Sequence, residues 1–365
     1  MRVHLVDPSA FTPPYDRALA GALARAGVDA TLVTSRFAYG DVPPTDGYTV
    51  DERFYRRAGR VAAPGSRARR AAKLAEHLPD MVSYARAARA ADVVHFQWLD
   101  VQPLDVHLLP RGRPVVLTAH DVLPREPRRG QLRGQRRLYE RVDHVVVHSA
   151  HGRARLTGAL GIDPARVTVI PHGAFTHLAA LAARLPPELA GTPPDRPVVA
   201  LPGLLRPYKG LDVLLEAWRG IDDAELWVVG MPRMPLPAEL PPGVRLVPRF
   251  VADAELAGVL RRADLVVLPY REIDQSGVLY AALGLGRPLL LSDVGGFPEV
   301  ATTGAAELVP AGDAGALHAG LRALLDDPAR RAAMAARAAH VAAGEYAWDR
   351  VGQRHRDLYG ILTSA

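Results

Sequence analysis

Short apolar runs alternate along the chain with longer segments in which apolar residues recur every three or four positions. The strand-like runs of the first half lie at residues 2–6, 30–34, 91–98, 114–119, 142–149 and 167–173. Those of the second half lie at residues 198–201, 225–229, 244–246, 265–268 and 288–291. Strands that alternate with helices imply right-handed crossovers and a parallel sheet in each half. The pattern therefore predicts an α/β protein of two doubly wound domains that face each other across a cleft.

A proline-rich segment separates the two halves. Residues 184–197 lack apolar periodicity, so they predict an extended linker between a first domain at 1–183 and a second domain at 198–345. The last segment, 346–365, predicts a terminal amphipathic helix in which Trp348, Val351 and Tyr359 pack against the protein.

The composition bounds the chemistry. With 365 residues, of which 48% are hydrophobic, the chain is long enough for two domains that each bury a core. The absence of Cys excludes disulfides, thiolate metal sites and cysteine nucleophiles. The His residues are scattered and form no metal-ligand motif, so we predict neither a metal nor a cofactor. No run approaches the length of about 18 apolar residues that a spanning helix needs, which predicts a soluble, cytoplasmic protein.

The net charge of +6 is unevenly distributed along the chain. The first of two basic clusters consists of Arg56, Arg57, Arg60, Arg67, Arg69, Arg70 and Lys73. The second consists of Arg125, Arg128, Arg129, Arg133, Arg136 and Arg137. Such clusters bind anionic lipid headgroups, acidic substrates or nucleic acid. They also occur as solvated helix faces in chains rich in Ala and Arg, so the pattern alone leaves these alternatives open.

The loop at residues 203–210 lies between a buried strand and an amphipathic helix. A glycine-bearing loop that leads into a helix N-terminus can hold an anion against its backbone N–H groups. Arg206 offers a planar fork for two oxygens, and Lys209 adds a compact point charge three residues later. The stretch is typical of a phosphate site, with a solvated loop of ordinary charges as the alternative.

A second chemical stretch follows the strand at 265–268. Ser276 and Gly277 open the next helix, whose free N–H groups suit a phosphate. Glu272 stands just before them, and we interpret it as a hydrogen-bond acceptor for sugar hydroxyls. A glycine-containing loop at 291–299 follows the next strand.

In the first half, polar residues gather at the ends of predicted strands. The loop that contains Pro14 and Tyr15 lacks the Gly-x-Gly-x-x-Gly spacing, which disfavours a dinucleotide there. Gln97 lies at the end of another strand, and His120 and Asp121 directly follow a buried apolar run. These side chains either line a ligand site at the sheet edge or have a structural role, and the residues alone leave both readings open.

Several of these segments together resemble the retaining glycosyltransferases of family 4, which have the GT-B fold. The matching segments are residues 169–173, 202–210, 263–270, 286–288 and 293–299. Each motif is weak by itself, but their order along nearly the whole chain is specific. The resemblance implies two Rossmann-like domains, with the terminal helix packed back on the first.

The resemblance also implies roles for individual residues. Arg206 and Lys209 would grip the diphosphate of a nucleotide-sugar. Glu272 would hold hydroxyl groups of the donor sugar, and His120 would contact the sugar beside the anomeric centre. The expected donor-binding residues are Gly203, Tyr270, Ser276, Gly277, Val278 and Tyr280. The expected acceptor-side residues are Pro14, Tyr15, Gln97 and Asp121.

One position departs from the family pattern. The family carries a second Glu that binds the ribose, but the matching slot here holds Tyr280 when counted forward from Glu272, or Ala281 when counted back from Pro288. Neither is a carboxylate, so we expect Tyr280 or a backbone group to take its place.

The expected activity is retaining, metal-independent transfer of a sugar from a nucleotide-diphosphate donor to a hydroxyl acceptor. Fixed cations aimed at the departing diphosphate should contribute the largest single part of the transition-state stabilisation. The expected partners are the nucleotide-sugar and an acceptor glycan, lipid-linked sugar or small molecule, with no nucleic acid. The basic clusters suggest an anionic acceptor and peripheral association with the inner face of the membrane.

Two other classes remain open. A GT-B nucleotide-sugar epimerase would share the fold and the diphosphate site, but it needs acid and base carboxylates across the sugar, and beyond Glu272 no partner is evident. A non-catalytic sugar-nucleotide-binding protein would need no cations at the leaving group. Release of free nucleoside diphosphate distinguishes an enzyme from such a binding protein.

Overall fold

Two parallel sheets, each in its own structural unit, organise the chain. The structure, a computed structural model, describes residues 1–38, 40, 42, 44–58, 66–99, 101–123, 130–193 and 195–364. Unit 1 comprises Met1–Gly173 together with Trp348–Ala365, and unit 2 comprises Ala174–Ala347. Within the described residues, no helix is both long enough and apolar enough to cross a membrane.

Unit 1 contains a seven-stranded parallel sheet with the strand order β3-β2-β1-β4-β5-β6-β7. Its strands are β1 (Arg2–Asp7), β2 (Asp29–Ser35), β3 (Thr49–Phe54), β4 (Val93–Phe96), β5 (Val115–Thr118), β6 (His144–Val147) and β7 (Val167–Val169). Its first five helices are α1 (Pro13–Arg25), α2 (Arg67–Ala87), α3 (Gln102–Leu108), α4 (Gln131–Arg141) and α5 (Ala150–Leu160). β4, β5 and β6 are buried along their whole length, because helices cover both faces of a doubly wound sheet.

Unit 2 contains a six-stranded parallel sheet with the order β10-β9-β8-β11-β12-β13. Its strands are β8 (Val198–Pro202), β9 (Glu225–Val229), β10 (Val244–Val247), β11 (Leu265–Leu268), β12 (Leu289–Ser292) and β13 (Ala306–Val309). Its helices are α6 (Leu211–Ala217), α7 (Asp253–Arg262), α8 (Gly277–Gly284), α9 (Phe297–Ala301), α10 (Ala314–Leu325) and α11 (Pro328–Ala343). The predicted α/β class with a parallel sheet in each half is confirmed.

Two strands were absent from the prediction. β3 and β13 are edge strands, and β3 carries three charged residues among its apolar ones while β13 carries Glu307. An edge strand buries less side chain than a central one, so it tolerates the charged residues that interrupt the apolar pattern of β3 and β13.

In both sheets the strand order reverses beside the first strand of the unit. β1 lies between β2 and β4, and β8 lies between β9 and β11. The chain leaves the first strand towards one side and later returns to the other side, so a crevice opens at the carboxyl ends of the two central strands. These crevices are where each unit presents its candidate site residues.

The division between the units falls between Gly173 and Ala174, ahead of the segment predicted as a linker. Residues 184–197 instead lie within unit 2. Leu189 is fully buried, and the Arg245 guanidinium donates hydrogen bonds to the carbonyls of Glu188 and Ala190 at 2.8 Å each. The prolines therefore mark a packed irregular segment, since a side chain from β10 satisfies its backbone carbonyls.

The terminal helix α12 (Trp348–Ser364) belongs to unit 1. The Tyr359 hydroxyl lies 2.6 Å from Nδ1 of the buried His95 in β4. Gly352 packs on α1 so closely that a β-carbon there would lie 2.7 Å from the carbonyl carbon of Ala22 and 2.8 Å from its oxygen. Helix α12 is thus a structural part of the first unit.

We predict that Gly352→Ala lowers the free energy of unfolding by about 1–3 kcal/mol, because the added methyl group meets the backbone of α1. Gly360→Ala on the same helix is the matched control, since nothing lies within 4 Å of its β-carbon position. The control should be neutral or stabilising by up to about 1 kcal/mol. Urea unfolding of both variants measures the difference, and equal effects would contradict the packing.

Candidate active site

The loop at residues 203–210 follows β8 and lies against the end of β11. Gly203 adopts φ +107°, which is accessible almost only to glycine. Gly210 adopts φ +69°, and a β-carbon there would lie 2.0 Å from the carbonyl oxygen of Pro269. The two glycines therefore allow the loop to run directly over the carboxyl end of the neighbouring strand.

Lys209 is largely buried in this loop, with 7% of its surface exposed. Its ammonium nitrogen lies 5.0 Å from the centre of the Tyr270 ring, within range of a cation–π interaction. A β-carbon on Gly203 would lie 3.0 Å from this nitrogen and 2.8 Å from Cγ2 of Val278. The structure thus brings together Gly203, Lys209, Tyr270 and Val278, all of which the sequence placed at the donor site.

Arg206 is exposed at the middle of the same loop. Within the described part of the chain, its guanidinium makes no hydrogen bond or ion pair. The loop therefore presents one cation held in place by packing and one that is free to bind an anion. Arg206 can engage two oxygens of a phosphate, while Lys209 supplies a point charge from a partly desolvated position.

Arg271, in the segment that follows β11, ties the loop at 203–210 to that segment, and the sequence analysis did not include it in the site. Its guanidinium donates to both carboxylate oxygens of Asp212, in the first turn of α6, at 2.8 and 2.6 Å. It also donates to the carbonyl of Pro207 at 3.2 Å, and its backbone N–H donates to the carbonyl of Tyr208 at 2.8 Å. The hydrogen bonds from Arg271 hold the pKa of Asp212 below its usual range.

The start of α8 forms the second part of the donor half-site. Ser276 is buried, Gly277 is exposed, and the Ser276 side chain makes no capping hydrogen bond to the helix. The N–H groups of the first turn carry the positive end of the helix dipole. Glu272 lies half-buried in the loop that joins β11 to this helix.

Tyr280 lies inside unit 2 and is 1% exposed. Its hydroxyl accepts a hydrogen bond from Nε2 of Gln275 at 2.8 Å, and burial raises its pKa well above the usual value. Ala281 is also buried. The Tyr280 side chain therefore positions Gln275 in this structure, and neither residue at the slot of the missing Glu offers an exposed side chain.

In unit 1, His120 lies at the end of β5 among aromatic side chains. Its ring stacks on Trp98 with centroids 5.0 Å apart and meets the Tyr15 ring edge-on at 4.7 Å. Its Nε2 lies 3.3 Å from Oε1 of Gln97, and its Nδ1 lies 3.2 Å from Nε2 of His148. Burial holds the pKa of His120 well below its usual value, so the ring is neutral at pH 7.

The predicted acceptor-side residues have different surroundings. Gln97 is fully buried beside His120, while Asp121 is exposed. Tyr15 is 1% exposed and lies among aromatic rings that include His172 and Trp348, so its role here is packing. Pro14 is half-buried in the first turn of α1. Sequence reasoning missed Trp98 and His148, because each is a single residue near a strand end with no motif around it.

A cavity of about 180 Å³ opens beside His120 in unit 1. Its described lining includes Gln97, Asp121, Gln102 and Gln135. Gln135 is 6% exposed, and the side-chain amides of Gln102 and Gln135 make no hydrogen bond with other described residues. The cavity therefore offers amide donors and acceptors of the kind that bind hydroxyl groups.

The loop after β1 keeps its backbone occupied. The buried Asp7 carboxylate accepts hydrogen bonds from the N–H groups of Ser9, Phe11 and Thr12. Burial, together with the charge of Asp7, raises the pKa of the neighbouring Asp16 well above its usual value. Because these N–H groups already donate to Asp7, few backbone donors in this loop can bind a phosphate. This agrees with the absence of a dinucleotide motif there.

Comparison with known proteins identifies the family. A family model described as Glycosyltransferase Family 4 matches residues 17–178, and one described as Glycosyl transferases group 1 matches residues 196–327. A D-inositol 3-phosphate glycosyltransferase of Kineococcus radiotolerans is 30% identical over 323 residues, which cover 75% of this chain and 72% of that protein. The chain belongs to glycosyltransferase family 4. This membership confirms the predicted family, and the protein is a glycosyltransferase.

Two further similarities bear on this glycosyltransferase. A GDP-mannose:glycolipid 4-beta-D-mannosyltransferase of Xanthomonas campestris is 30% identical over 188 residues, covering 49% of this chain and 50% of that protein. The crystal structure of Anabaena HepE in complex with UDP-glucose superposes with a TM-score of 0.73 at 17% identity, covering 99% of this chain and 100% of that one. The structural similarity confirms the predicted GT-B fold.

We predict that Arg271→Ala lowers the turnover of the glycosyltransferase about 10-fold or more, because the loop that carries Arg206 and Lys209 loses its tether to the segment that follows β11. Nucleoside diphosphate release over a panel of nucleotide-sugars measures the effect. Arg322→Ala is the matched control, since Arg322 pairs with both carboxylate oxygens of Asp223 in the same unit. Each variant should lose no more than about 1 kcal/mol of stability, because both pairs are solvent-exposed. Equal turnover in the two variants would contradict the tether.

Proposed function

We propose that this glycosyltransferase retains anomeric configuration, works without a metal ion, and transfers a sugar from a nucleotide-diphosphate donor to a hydroxyl group. The observation that carries the proposal is the pair of cations in the loop after β8. Lys209 is packed over the Tyr270 ring, and Arg206 stands exposed beside it. The proposal assigns the stabilisation of the leaving group to these two side-chain cations.

The chemistry of the leaving group explains the need for these cations. When the bond between the anomeric carbon and the phosphate oxygen breaks, positive charge grows on the sugar and negative charge grows on the diphosphate. Preorganised cations stabilise this charge most when they are partly shielded from water, as Lys209 is. The acceptor oxygen then bonds to the anomeric carbon on the same face, and its proton passes to the departing diphosphate oxygen.

Glu272 and His120 are proposed to bind hydroxyl groups of the donor sugar. Glu272 is half-buried after β11 and carries a carboxylate that accepts hydrogen bonds. His120 is neutral at pH 7, because burial lowers its pKa, so its contribution is a hydrogen bond and no positive charge. In this proposal the cations belong to unit 2, and unit 1 contributes a neutral ring.

The nucleotide end of the donor is proposed to be held without a second carboxylate. Both residues at that slot, Tyr280 and Ala281, are buried. Backbone groups near the start of α8 are the alternative contacts for the ribose. The similar Anabaena HepE binds UDP-glucose, and the similar Xanthomonas campestris enzyme is named for GDP-mannose, so a donor panel must cover uridine- and guanosine-linked sugars.

The acceptor is proposed to be anionic and held at a membrane surface. One face of α2 exposes Leu74 and Leu78, at 58% and 49%, together with Arg67 and Arg70 one or two turns away. A helix face that combines exposed leucines with arginines is typical of contact with anionic lipid. Within the predicted basic clusters, Arg60, Arg125, Arg128 and Arg129 lie outside the described residues.

We predict that Arg206→Ala and Lys209→Ala each lower turnover about 100-fold or more, because each removes a cation from the leaving group. Lys209→Met keeps the apolar stem over Tyr270 and should lose as much activity, which separates charge from packing. Arg219→Ala, an exposed cation at the end of α6, is the control and should keep wild-type turnover. Nucleoside diphosphate release measures all four, and near-wild-type rates in both Arg206→Ala and Lys209→Ala would refute the assignment.

We predict that the protein co-sediments with anionic vesicles at low salt and is released as the salt concentration rises. The double variant Leu74→Ser/Leu78→Ser should bind less, because the exposed apolar area of α2 is lost. Ile361→Ser is the matched control, since Ile361 is a 68% exposed apolar residue on a different helix, α12. Failure of the wild-type protein to bind would make a soluble acceptor the better proposal.

A further inference from the structure

A chain of three hydrogen bonds runs from the backbone of Ile170 through His148 and His120 to Gln97. The carbonyl oxygen of Ile170 lies 3.0 Å from Nδ1 of His148. Nε2 of His148 lies 3.2 Å from Nδ1 of His120, and Nε2 of His120 lies 3.3 Å from the side-chain amide of Gln97. Every polar atom of the two rings therefore has one neighbour.

The Ile170 carbonyl determines which atom donates in each hydrogen bond of this chain. A carbonyl oxygen only accepts, so Nδ1 of His148 must carry a proton and donate it. A neutral imidazole carries one N–H, so Nε2 of His148 is an acceptor. The neighbouring Nδ1 of His120 must then be the donor, which leaves Nε2 of His120 without a proton.

The neutrality of both rings follows from their surroundings. His148 is 6% exposed, and burial lowers its pKa to about 4. Burial also lowers the pKa of His120, and the nearby His148 and His172 lower it further. A second proton on either ring would place a charge among the aromatic rings of this cluster at a high desolvation cost.

The surroundings of Gln97 support the same assignment of donors and acceptors. An unprotonated Nε2 on His120 requires a donor opposite it, which is the NH₂ of the Gln97 amide. The oxygen and nitrogen of an amide differ little in shape, and hydrogen bonding decides their assignment. With the oxygen towards His120, the Gln97 nitrogen is buried without a hydrogen-bond partner. Turning the amide gives that nitrogen His120 as an acceptor, and buried orphaned N–H groups are rarer than orphaned carbonyls.

We infer that His148 is a positioning residue that fixes the tautomer of His120, so that His120 presents an unprotonated Nε2 as a hydrogen-bond acceptor. Stacking on Trp98 and the edge contact with Tyr15 already hold the ring in place, so the tautomer is the remaining variable. A sugar hydroxyl that takes the place of the Gln97 amide can donate a hydrogen bond to this Nε2, which cannot donate one in return. The consequence for catalysis rests on the proposed function, in which His120 binds a sugar hydroxyl.

The direct test is the ring ¹⁵N–¹H correlation spectrum of histidine-labelled protein. The signals of His120 are assigned by their loss in His120→Gln. The wild type should show protonation of His120 at Nδ1. In His148→Leu, Nδ1 loses its acceptor, and the proton should move to Nε2 with the Gln97 oxygen as its new partner. In His148→Gln, the amide oxygen replaces the lost acceptor, so the Nδ1 pattern should persist.

His144→Leu is the matched control, because His144 begins β6, the strand that His148 directly follows, and its Nε2 is 2.7 Å from the Thr168 hydroxyl. It should leave the His120 spectrum unchanged. A wild-type His120 protonated at Nε2 or at both nitrogens would overturn the inference. So would a His148→Leu spectrum that keeps the Nδ1 pattern. The wild-type and His148→Gln spectra keep the test decisive if His148→Leu does not fold.

Kinetics then separate this inference from the proposed function. His148→Leu should lower kcat about 10-fold with little change in the donor KM, and His148→Gln should recover most of that loss. A tautomer that changes as expected while kcat stays at the wild-type value would confirm the role of His148. It would count instead against the proposed contact between His120 and the sugar.

Discussion

The burial of a lysine ammonium at the end of β8 is the constraint on which the candidate site depends. Lys209 is 93% buried only because the loop that carries it lies directly over the end of β11, where the Tyr270 ring faces its charge. Gly210 permits this approach, since any side chain there would strike the Pro269 carbonyl. A charge that is partly shielded from water before the donor arrives acts on a diphosphate more strongly than a solvated one.

The two units contribute different chemistry to the proposed reaction. Unit 2 presents cations, a helix N-terminus and a carboxylate at one sheet edge, which suits a charged leaving group. Unit 1 presents a neutral histidine, stacked on Trp98 and linked to His148, beside a cavity lined by glutamines. Neutral acceptors and amides bind hydroxyl groups, so unit 1 is suited to the sugar and the acceptor.

Much of the fold could be predicted, because central strands of parallel sheets are buried on both faces and read as apolar runs. The edge strands β3 and β13 could not be predicted, since charged residues interrupt their apolar sequence. The segment at 184–197 reads as a linker, yet Arg245 binds its carbonyls, and no local signal reports a partner so far along the chain.

Some residues of the candidate site could likewise be predicted from the sequence, and others could not. Arg206, Lys209 and Ser276 stand in local motifs, so the sequence alone could propose them as site residues. The Arg271–Asp212 pair and the His148–His120 contact join different elements, so only the fold brings them together. Tyr280 shows the opposite limit: its position in the motif predicted a ligand contact, but the helix turns its ring into the core, where its hydroxyl accepts from Gln275.

The most direct test of the central claim is a crystal structure of the protein with a bound nucleoside diphosphate. The account predicts that oxygens of the diphosphate lie within about 3 Å of the Lys209 ammonium and the Arg206 guanidinium, with the start of α8 alongside. A nucleotide bound elsewhere, or one whose diphosphate points away from both cations, would contradict the account.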